Sequence, residues 1–243
     1  MSEKKAFAVV TGANRGIGLA ICQRLATQGY RVATCVRVPS RDLQTLLPEA
    51  DGHAIVTLDL RDDAAIAEAA RAVLKWSKQI DVLVNCAGVA SGGLFAMTRM
   101  DHMRDIFQVN TFGPLLFTQY IARAMTRAKA GSIINIGSTA GLLADAGTMA
   151  YGGSKAALMH ATRVLATELG ASGIRVNAIA PALVETDMAA QMDDASRAAL
   201  DARSALPGKI APGDVAALVS YLVSPESAQM TGQVLRLDRG MPF

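Results

Sequence analysis

The sequence has few of the residues from which disulfide frameworks and metal sites are built. Its 243 residues include three cysteines and three histidines, and both sets are scattered along the chain. The cysteines stand among apolar residues, so we interpret them as reduced, buried thiols. Because neither set shows the spacing of zinc ligands, we expect no metal site.

Long basic runs and long apolar runs are also missing. The net charge is +3 and no run of Lys or Arg exceeds two residues, so we expect no nucleic-acid or membrane-surface partner. No apolar run approaches the length of a membrane span. The first apolar run, Ala6–Val10, is too short for a signal peptide. We therefore expect a soluble, cytoplasmic protein.

Short β-like runs alternate with longer helical patterns, which is typical of a parallel sheet covered on both faces. Apolar residues make up 51% of the chain, enough for one sizeable core. We predict a single domain over residues 1–243, an α/β Rossmann-type, doubly wound parallel sheet of about seven strands with helices on both faces. The predicted strands are Ala6–Val10, Arg31–Val36, His53–Leu58, Asp81–Asn85, Ser132–Ile136, Arg175–Ile179 and Gln233–Leu237.

The intervening segments carry helical spacing. Six helices are predicted. The first follows the glycines that end at Gly18, and the second runs from the cap Asp62 to about Trp76. The others are near Thr98–Val109, near Phe112–Arg127, from Tyr151 to about Leu169 and from Pro212 to Val223. The stretch Thr186–Asp201 contains Met and Asp residues, and we expect it to be mobile. Loops after the carboxyl ends of strands carry specificity, so we predict a substrate lid at about 182–205.

Three glycines, Gly12, Gly16 and Gly18, lie between the first predicted strand and the first predicted helix. Glycine lets a pyrophosphate approach bare backbone, and the helix N-terminus offers free N–H groups to the anion. The spacing differs from the Gly-x-Gly-x-x-Gly fingerprint, and a plain strand-to-helix turn is the alternative. The strand before and the helix after the turn favour nucleotide binding.

Tyr151 and Lys155 stand four residues apart at the start of a predicted helix, so they can face one pocket. A free phenol titrates near 10 and is a poor base at neutral pH. A cation about 4 Å away contributes roughly 4 kcal/mol at an effective dielectric constant near 20. This would lower the pKa of Tyr151 toward neutrality and prepare it for proton transfer. The alternative is a surface Tyr–Lys pair, because the spacing arises easily by chance.

Taken together, the motifs of this chain resemble those of the short-chain dehydrogenase/reductases, and the resemblance extends in order over essentially the whole sequence. Within the family the chain is most similar to the 3-oxoacyl-(acyl-carrier-protein) reductases and related ketoreductases. The matching segments are Thr11–Gly18, the turn Asn85-Cys86-Ala87-Gly88, Asn110, Ser138, Tyr151 with Lys155, and Ala180–Thr186.

The resemblance implies roles for four catalytic residues. Ser138 would hydrogen-bond the substrate oxygen, and Tyr151 would donate the proton in ketone reduction. Lys155 would lower the pKa of Tyr151 and hold the nicotinamide ribose, and Asn110 would anchor a water relay to Lys155. Without the family, Asn110 is an ordinary helix residue and Ser138 a serine that ends a strand.

The resemblance also implies a set of cofactor-binding residues: Gly12, Asn14, Arg15, Gly16, Ile17, Gly18, Arg37, Asp59, Leu60, Asn85, Ala87, Gly88, Tyr151, Lys155, Pro181, Val184 and Thr186. Asp59 has two open roles, acceptor for the adenine amino group or helper in capping the next helix. The second predicted strand ends without an acidic residue that would bind a ribose 2′-hydroxyl. Arg15 and Arg37 could clamp a 2′-phosphate, although two solvated arginines are the alternative. We therefore favour NADP(H) over NAD(H).

Three positions depart from the family pattern. Cys86 replaces an Asn and is small enough to fit. Ala182 replaces a Gly and lacks the freedom of glycine at positive φ, which puts the loop on the nicotinamide side in doubt. Arg239 interrupts a Gly-Gly pair and would alter a subunit contact.

The expected reaction is NADPH-dependent reduction of a 3-oxoacyl thioester or similar ketone. An NAD(H)-linked alcohol dehydrogenase and a non-catalytic nucleotide-binding regulator are the alternatives. A carrier-linked substrate and an acyl carrier protein partner stay open. We expect the basic residues Arg123, Arg127 and Lys129 beside the site entrance, where they would meet that partner unless they form a solvated helix end. The family implies a homotetramer built from the helix Phe112–Arg127 and the Tyr151 helix. Two roles are open for Met188, Met192 and Leu200 of the lid. They could contact an acyl chain, or they could only pack within the protein.

Overall fold

A seven-stranded parallel sheet forms the centre of the computed structural model, which describes residues 5–242 except the side chain of Gln191. The strands lie in the order β3-β2-β1-β4-β5-β6-β7, and each neighbouring pair is parallel. They are β1 (Phe7–Thr11), β2 (Arg31–Val36), β3 (Ala54–Thr57), β4 (Val82–Asn85), β5 (Gly131–Ile136), β6 (Ile174–Pro181) and β7 (Val234–Leu237). The predicted sheet is therefore confirmed, with small shifts at strand ends.

Eight α-helices connect the strands of the described chain. They are α1 (Gly16–Thr27), α2 (Arg41–Leu46), α3 (Asp63–Trp76), α4 (Met100–Phe107), α5 (Gly113–Ala128), α6 (Met149–Gly170), α7 (Asp194–Ala202) and α8 (Pro212–Val223). Asp62 caps α3 as predicted, its carboxylate accepting from the backbone N–H groups of Ala64 and Ala65. The short helices α2 and α7 were not predicted, and α7 lies largely in the stretch Thr186–Asp201 that was expected to be mobile. Each begins after a side-chain cap, Ser40 for α2 and Asp193 for α7.

The sheet buries a separate core on each face. Val9 of β1 faces one core with Ile66 of α3 and Phe117 of α5. Val10, its neighbour, faces the other core with residues of α1 and α8, such as Ile21 and Val215. Because both faces are covered, a central strand such as β1 is apolar at nearly every position, which is the pattern that its sequence shows.

The strand order reverses at β1 and β4, which lie side by side at the centre of the sheet. β1 continues through β2 to one edge, while β4 continues through β5 and β6 to the other. The helices that follow these two strands pack on opposite faces of the sheet, α1 on one and α5 on the other. The two connections therefore part beyond their first residues and leave a crevice at the carboxyl edge. Ligands of open α/β sheets bind at such a switch point.

The opposite edge of the sheet carries the basic group Arg123, Arg127 and Lys129. These residues end α5 and precede the start of β5 at Gly131, so they lie at the amino edge, away from the crevice. The expectation that they flank the site entrance is wrong, because α5 runs back along the sheet. Their exposure at a helix end fits the solvated alternative.

Two features are absent from the described residues, a membrane-spanning helix and a cluster of metal ligands. Over residues 5–242, no helix combines the length and the apolar character that crossing a membrane requires. Within that same range, no three His, Cys, Asp or Glu side chains come together in a way that could hold a metal ion. The three cysteines are free thiols.

Candidate active site

Ser138 and Tyr151 meet at the carboxyl edge of the sheet. Ser138 follows the end of β5 by two residues and caps a short 3₁₀ turn, its hydroxyl accepting from the backbone N–H of Ala140 at 3.2 Å. Tyr151 lies in the first turn of α6 and shares a side-chain hydrogen bond with Ser138. The strand end and the helix start thus bring the two hydroxyl groups together.

The pKa of Tyr151 moves in the direction opposite to the one that the sequence predicts. Burial raises the pKa of the phenol, and the hydrogen bond with Ser138 only partly opposes this. The nearby thiol of Cys86 raises it further. In this structure desolvation therefore outweighs stabilisation of the phenolate, and the hydroxyl stays protonated at neutral pH.

Lys155 lies on the same helix, one turn after Tyr151, and only 4% of it is exposed. Its ammonium donates to the carbonyl oxygen of Ile136, the last residue of β5, at 2.8 Å. Burial lowers the pKa of Lys155 from 10.5 to about 8, while the thiol of Cys86 works in the opposite direction. Lys155 is not among the groups that shift the pKa of Tyr151 in this structure, and its lowering of that pKa stays a prediction.

Asn110 lies in a π-helical turn, Gln108–Phe112, that joins α4 to α5. Its amide is fully buried and makes three hydrogen bonds. The oxygen accepts from the N–H of Val89 at 2.8 Å, and the nitrogen donates to the carbonyl of Val89 at 2.9 Å and to the hydroxyl of Ser154 at 3.0 Å. Asn110 therefore fastens the chain after β4 to the helix of Tyr151. Its role in a water relay stays a prediction.

The glycine turn after β1 fits closely against the loop after β4. Gly12 has a φ of +73°, and a Cβ there would lie 2.6 Å from the Cα of Ala87. A Cβ on Gly18 would lie 2.3 Å from the carbonyl oxygen of Gly12. Thr11 completes the contact, since its hydroxyl accepts from the N–H groups of Cys86 and Ala87 at 3.1 and 3.0 Å. The close approach of these two loops therefore depends on glycine.

Helix α1 starts at this turn with an open N-terminus. Its N-cap, Arg15, makes no side-chain capping hydrogen bond, and no acidic residue stands in the first turn. The first backbone N–H groups of an α-helix have no partner within the helix and attract an anion. The turn and the helix start therefore fit the pyrophosphate of a dinucleotide, and the contacts of Gly16 and Ile17 with it stay predictions.

Gly88 provides a second close approach, beside the buried amine. A Cβ added there would lie 3.1 Å from the amide oxygen of Asn110 and 3.3 Å from the ammonium nitrogen of Lys155. Asn85, by contrast, directs its side chain away from the crevice. It donates to Thr118 at 2.9 Å and to Asn135 at 2.8 Å, between the sheet and its helices. A cofactor contact of Asn85 would therefore involve its backbone.

The loop after β2 is tied to the glycine turn by Asn14. The side chain of Asn14 donates to the carbonyl of Val38 at 2.7 Å and accepts from the N–H of Ser40 at 2.9 Å. This places the exposed Arg37 next to the turn that carries Arg15. Within the described chain Arg37 makes no hydrogen bond or ion pair, whereas Arg15 lies 3.2 Å from the carboxylate of Asp187.

Asp59 and Leu60 form the loop after β3. The carboxylate of Asp59 accepts from the N–H of Arg61 at 3.0 Å. The side chain that caps α3 is that of Asp62, and the two roles left open for Asp59 stay predictions. The carbonyl of Leu60 accepts from Gln108 at 3.0 Å, which attaches this loop to the π-helical turn.

The chain after β6 passes over the glycine turn. Pro181 ends the strand and the N–H of Ala182 donates to Leu237 of β7 at 3.0 Å. Ala182 is not among the residues of positive φ in the described chain, which removes the doubt about this position. Val184 is buried and bridges to Ile210. The methyl group of Thr186 lies 3.0 Å from the position of a Cβ on Gly16.

A cavity of about 130 Å³ lies within the predicted lid and the residues next to it. It is lined by Leu183, Glu185, Thr186, Ala189, Ala190, Arg197, Asp201 and Lys209. Met188, Met192 and Leu200, which were considered for an acyl chain, do not line it. Met188 is 40% exposed.

Sequence reasoning missed several residues that shape the site. Ser154 and Ser40 act through hydrogen bonds to segments distant in the chain. Arg203 and Asp145 form an ion pair across 58 residues. No local spacing signals such pairs, because the partners come together only in the folded sheet.

The chain as a whole is similar to known proteins in sequence and in structure. A family model described as "Enoyl-(Acyl carrier protein) reductase" matches residues 12–242. The chain is 31% identical to the 3-oxoacyl-(acyl-carrier-protein) reductase FabG of Vibrio cholerae over 96% of both chains. It is 34% identical to the acetoacetyl-CoA reductase of an Acinetobacter species over 99% of both. The crystal structure of a single-residue variant of the actinorhodin polyketide ketoreductase with NADPH has a TM-score of 0.90, 34% identity and 99% coverage of both chains.

Proposed function

This chain belongs to the short-chain dehydrogenase/reductase family, and from that membership we propose that it is an NADPH-dependent reductase of 3-oxoacyl thioesters or similar ketones. It is an NAD(P)(H)-linked oxidoreductase that acts on carbonyl or hydroxyl groups, as its relatives are named. The observation that supports the proposal most strongly is the hydrogen bond between Tyr151 and Ser138 beside the buried Lys155.

Tyr151 is suited to give a proton to a carbonyl oxygen. Burial raises its pKa, so the hydroxyl carries its proton at neutral pH. As the carbonyl carbon is reduced, its oxygen gains negative charge and becomes a stronger base than a ketone. A positioned phenol can then protonate it within the same step, which is general acid catalysis.

Ser138 supports the same oxygen from its other side. Its hydroxyl is held in place by the N–H of Ala140 and shares a hydrogen bond with Tyr151. Two hydroxyl groups can therefore converge on one carbonyl oxygen and stabilise the charge that develops there. Lys155 adds a nearby positive charge, because its pKa of about 8 keeps most of the amine protonated at neutral pH.

Asn110, the fourth predicted catalytic residue, would serve by positioning. Its three hydrogen bonds hold the loop after β4 against α6, and this fixes the distance between Lys155 and the crevice. We keep the water relay through Asn110 as a part of the proposal.

The cofactor is proposed to lie along the carboxyl edge of the sheet. The glycine turn with α1 would hold the pyrophosphate. The adenosine side would contact Asp59, Leu60 and the turn Asn85–Gly88. The nicotinamide side would contact Pro181, Val184 and Thr186. When bound, the nicotinamide supplies the hydride. Arg15 and Arg37 would hold the 2′-phosphate of NADP(H), since β2 ends without a carboxylate that would repel it.

We also propose that the protein is a homotetramer in the cytoplasm. Phe112 before α5 and Met149 and Val164 of α6 expose 56%, 54% and 42% of their surface, so the faces of these helices have apolar area to cover. Free thiols suit a reducing compartment. Light scattering coupled to gel filtration tests the assembly, and a monomeric mass would contradict it.

A substrate screen tests the proposed reaction. The purified protein is mixed with NADPH or NADH and with acetoacetyl-CoA, its carrier-protein thioester, a non-acyl ketone or crotonyl-CoA, and the ultraviolet absorbance of the reduced nicotinamide is followed. We expect acetoacetyl thioesters to give the highest kcat/KM, and NADPH to exceed NADH. Reduction of crotonyl-CoA without reduction of any ketone, or a preference for NADH, would contradict the respective part of the proposal.

A further inference from the structure

The segment Glu185–Lys209, here named the lid segment, leaves and rejoins the body of the protein at one narrow neck. Val184 bridges to Ile210, and the N–H of Glu185 donates to the carbonyl of Ile210 at 2.9 Å. The side chains of Glu185 and Lys209 form an ion pair at 2.9 Å across the neck. The segment between them contains α7.

Arg239 fixes the rear of the lid segment to the end of β7. Its guanidinium lies 2.5 Å from the carboxylate of Asp201 and donates to the carbonyl oxygens of Leu206 and Gly208. The N–H of Leu206 donates back to the carbonyl of Arg239 at 2.9 Å. Arg239 adopts a φ of +56°, a conformation that costs energy for a residue with a Cβ. The residue expected to alter a subunit contact therefore serves within the chain.

Arg203 fixes the front of the lid segment to the loop between Ser138 and Tyr151. Its Nη1 lies 2.9 and 3.0 Å from the two carboxylate oxygens of Asp145. The carbonyl of Asp145 in turn accepts from the hydroxyl of Thr148 at 2.7 Å, one residue before α6. Among the side chains that the structure describes, this ion pair is the one hydrogen-bonded link between the lid segment and the catalytic loop.

We propose that Arg203 and Asp145 form a latch that holds the lid segment against the catalytic loop and sets the access of the ketone to Tyr151. The inference rests on the proposed reductase function. Both side chains are about one-third exposed, 34% and 38%, so the pair can break and re-form in water. Arg239, which is only 13% exposed, stays fixed while the front opens. Arg203 is thus a positioning residue that touches no reacting atom.

The test compares Asp145→Asn with a matched control, Asp105→Asn. Asp105 pairs with Arg61 in a two-bond arrangement, and both side chains are 38% exposed, but this pair lies outside the lid segment. Limited trypsin digestion of the cofactor-free protein reports opening, since cleavage after Arg197 and Arg203 follows the open population. We expect Asp145→Asn to be cut there about three- to fivefold faster than wild type, the effect that a partly exposed ion pair supports.

Kinetics with acetoacetyl-CoA and NADPH provide the second readout. We expect Asp145→Asn to change KM for the ketone by about three- to fivefold while kcat changes less than about twofold. Asp145→Glu, which keeps the carboxylate, should stay close to wild type in both assays. Equal cleavage and equal KM in Asp145→Asn and Asp105→Asn would overturn the proposal, as would an Asp145→Glu variant as impaired as Asp145→Asn. Since digestion needs no substrate, its result is separate from any failure of the reductase function.

Discussion

The ammonium nitrogen of Lys155 lies 2.8 Å from the carbonyl oxygen of Ile136, and this bond joins the helix of Tyr151 to the strand that leads to Ser138. The amine is buried, and no carboxylate within the described chain forms an ion pair with it. One backbone acceptor compensates only in part for the lost hydration of a cation. The site thus holds a charged group that destabilises the fold, which is common where function requires the charge.

Replacing Lys155 with Met should stabilise the protein at neutral pH in the absence of ligands. The folded-state pKa is about 8 and the ordinary value is 10.5, so the unfolded chain binds the proton more tightly. The difference corresponds to about 3 kcal/mol against folding at neutral pH, less about 1 kcal/mol for the lost hydrogen bond. Urea unfolding should show Lys155→Met to be more stable by about 2 kcal/mol.

The pH dependence separates this effect from better packing. As the pH rises from 8 to 10.5, the amine of Lys155 loses its proton in the folded state before it does so in the unfolded chain, because its pKa is lowered on folding. Because the unfolded chain binds more protons over this range, the wild type should gain stability relative to Lys155→Met as the pH rises. Lys209→Met is the control, since Lys209 is 54% exposed and paired with Glu185. A stability difference for Lys155→Met that stays constant over this pH range would contradict the assigned cost of burial.

Gly12→Ala should abolish cofactor binding and weaken the fold. A Cβ at this position would lie 2.6 Å from the Cα of Ala87, so the loop after β4 would have to move. We expect a loss of several kcal/mol in unfolding free energy, on the order of 3, and no NADPH fluorescence change. Gly29→Ala is a control that separates backbone strain at positive φ from steric overlap of the added Cβ. Gly29 has a φ of +86°, but a Cβ there would have open space around it. That control should lose about 1 kcal/mol and keep cofactor binding.

Arg37→Ala should weaken NADPH binding and leave NADH binding unchanged. Arg37 is exposed and unpaired within the described residues, so its removal costs the fold little. A charged hydrogen bond to phosphate contributes about 1.5–3 kcal/mol, which corresponds to a tenfold or larger rise in KM for NADPH. Equal changes in KM for both cofactors would show that Arg37 does not read the 2′-phosphate.

Asn110→Leu should destabilise the protein even though the volume is roughly retained. The change removes three buried hydrogen bonds and leaves the N–H and carbonyl of Val89 without their partner. We expect a loss of about 2–4 kcal/mol in urea unfolding. Thr111→Val, which removes one buried bond to the carbonyl of Ser154, should lose about 1 kcal/mol. Equal stability of Asn110→Leu and wild type would contradict the fastening role of Asn110.

Sequence periodicity predicted the sheet well because both of its faces are buried. The apolar runs that become β1 and β4 indicate buried strands, and every residue of these two strands is buried. The capping residue Asp62 indicated where α3 begins. The helices α2 and α7 escaped prediction because they are short and mostly exposed, so they bury too few residues to produce a visible period.

The candidate site shows where sequence reasoning stops. The motifs pointed to Tyr151 and Lys155 but could not show which hydrogen-bond partner each side chain would have. They also could not show that burial raises the pKa of Tyr151. The π-helical turn that directs Asn110 inward was invisible within a helical pattern. The sequence marked Arg239 as a departure from the family pattern, but its role in holding Asp201 and Leu206 is visible only in the structure.

The proton-transfer role of Tyr151 is tested most directly by Tyr151→Phe. NADPH affinity is measured by fluorescence titration, and kcat for acetoacetyl-CoA by the loss of NADPH absorbance. We expect kcat to fall by about 100-fold to 10,000-fold, the range for loss of a general acid, while the Kd for NADPH changes little. Turnover at the wild-type rate by a variant that still binds NADPH would contradict the proposed mechanism.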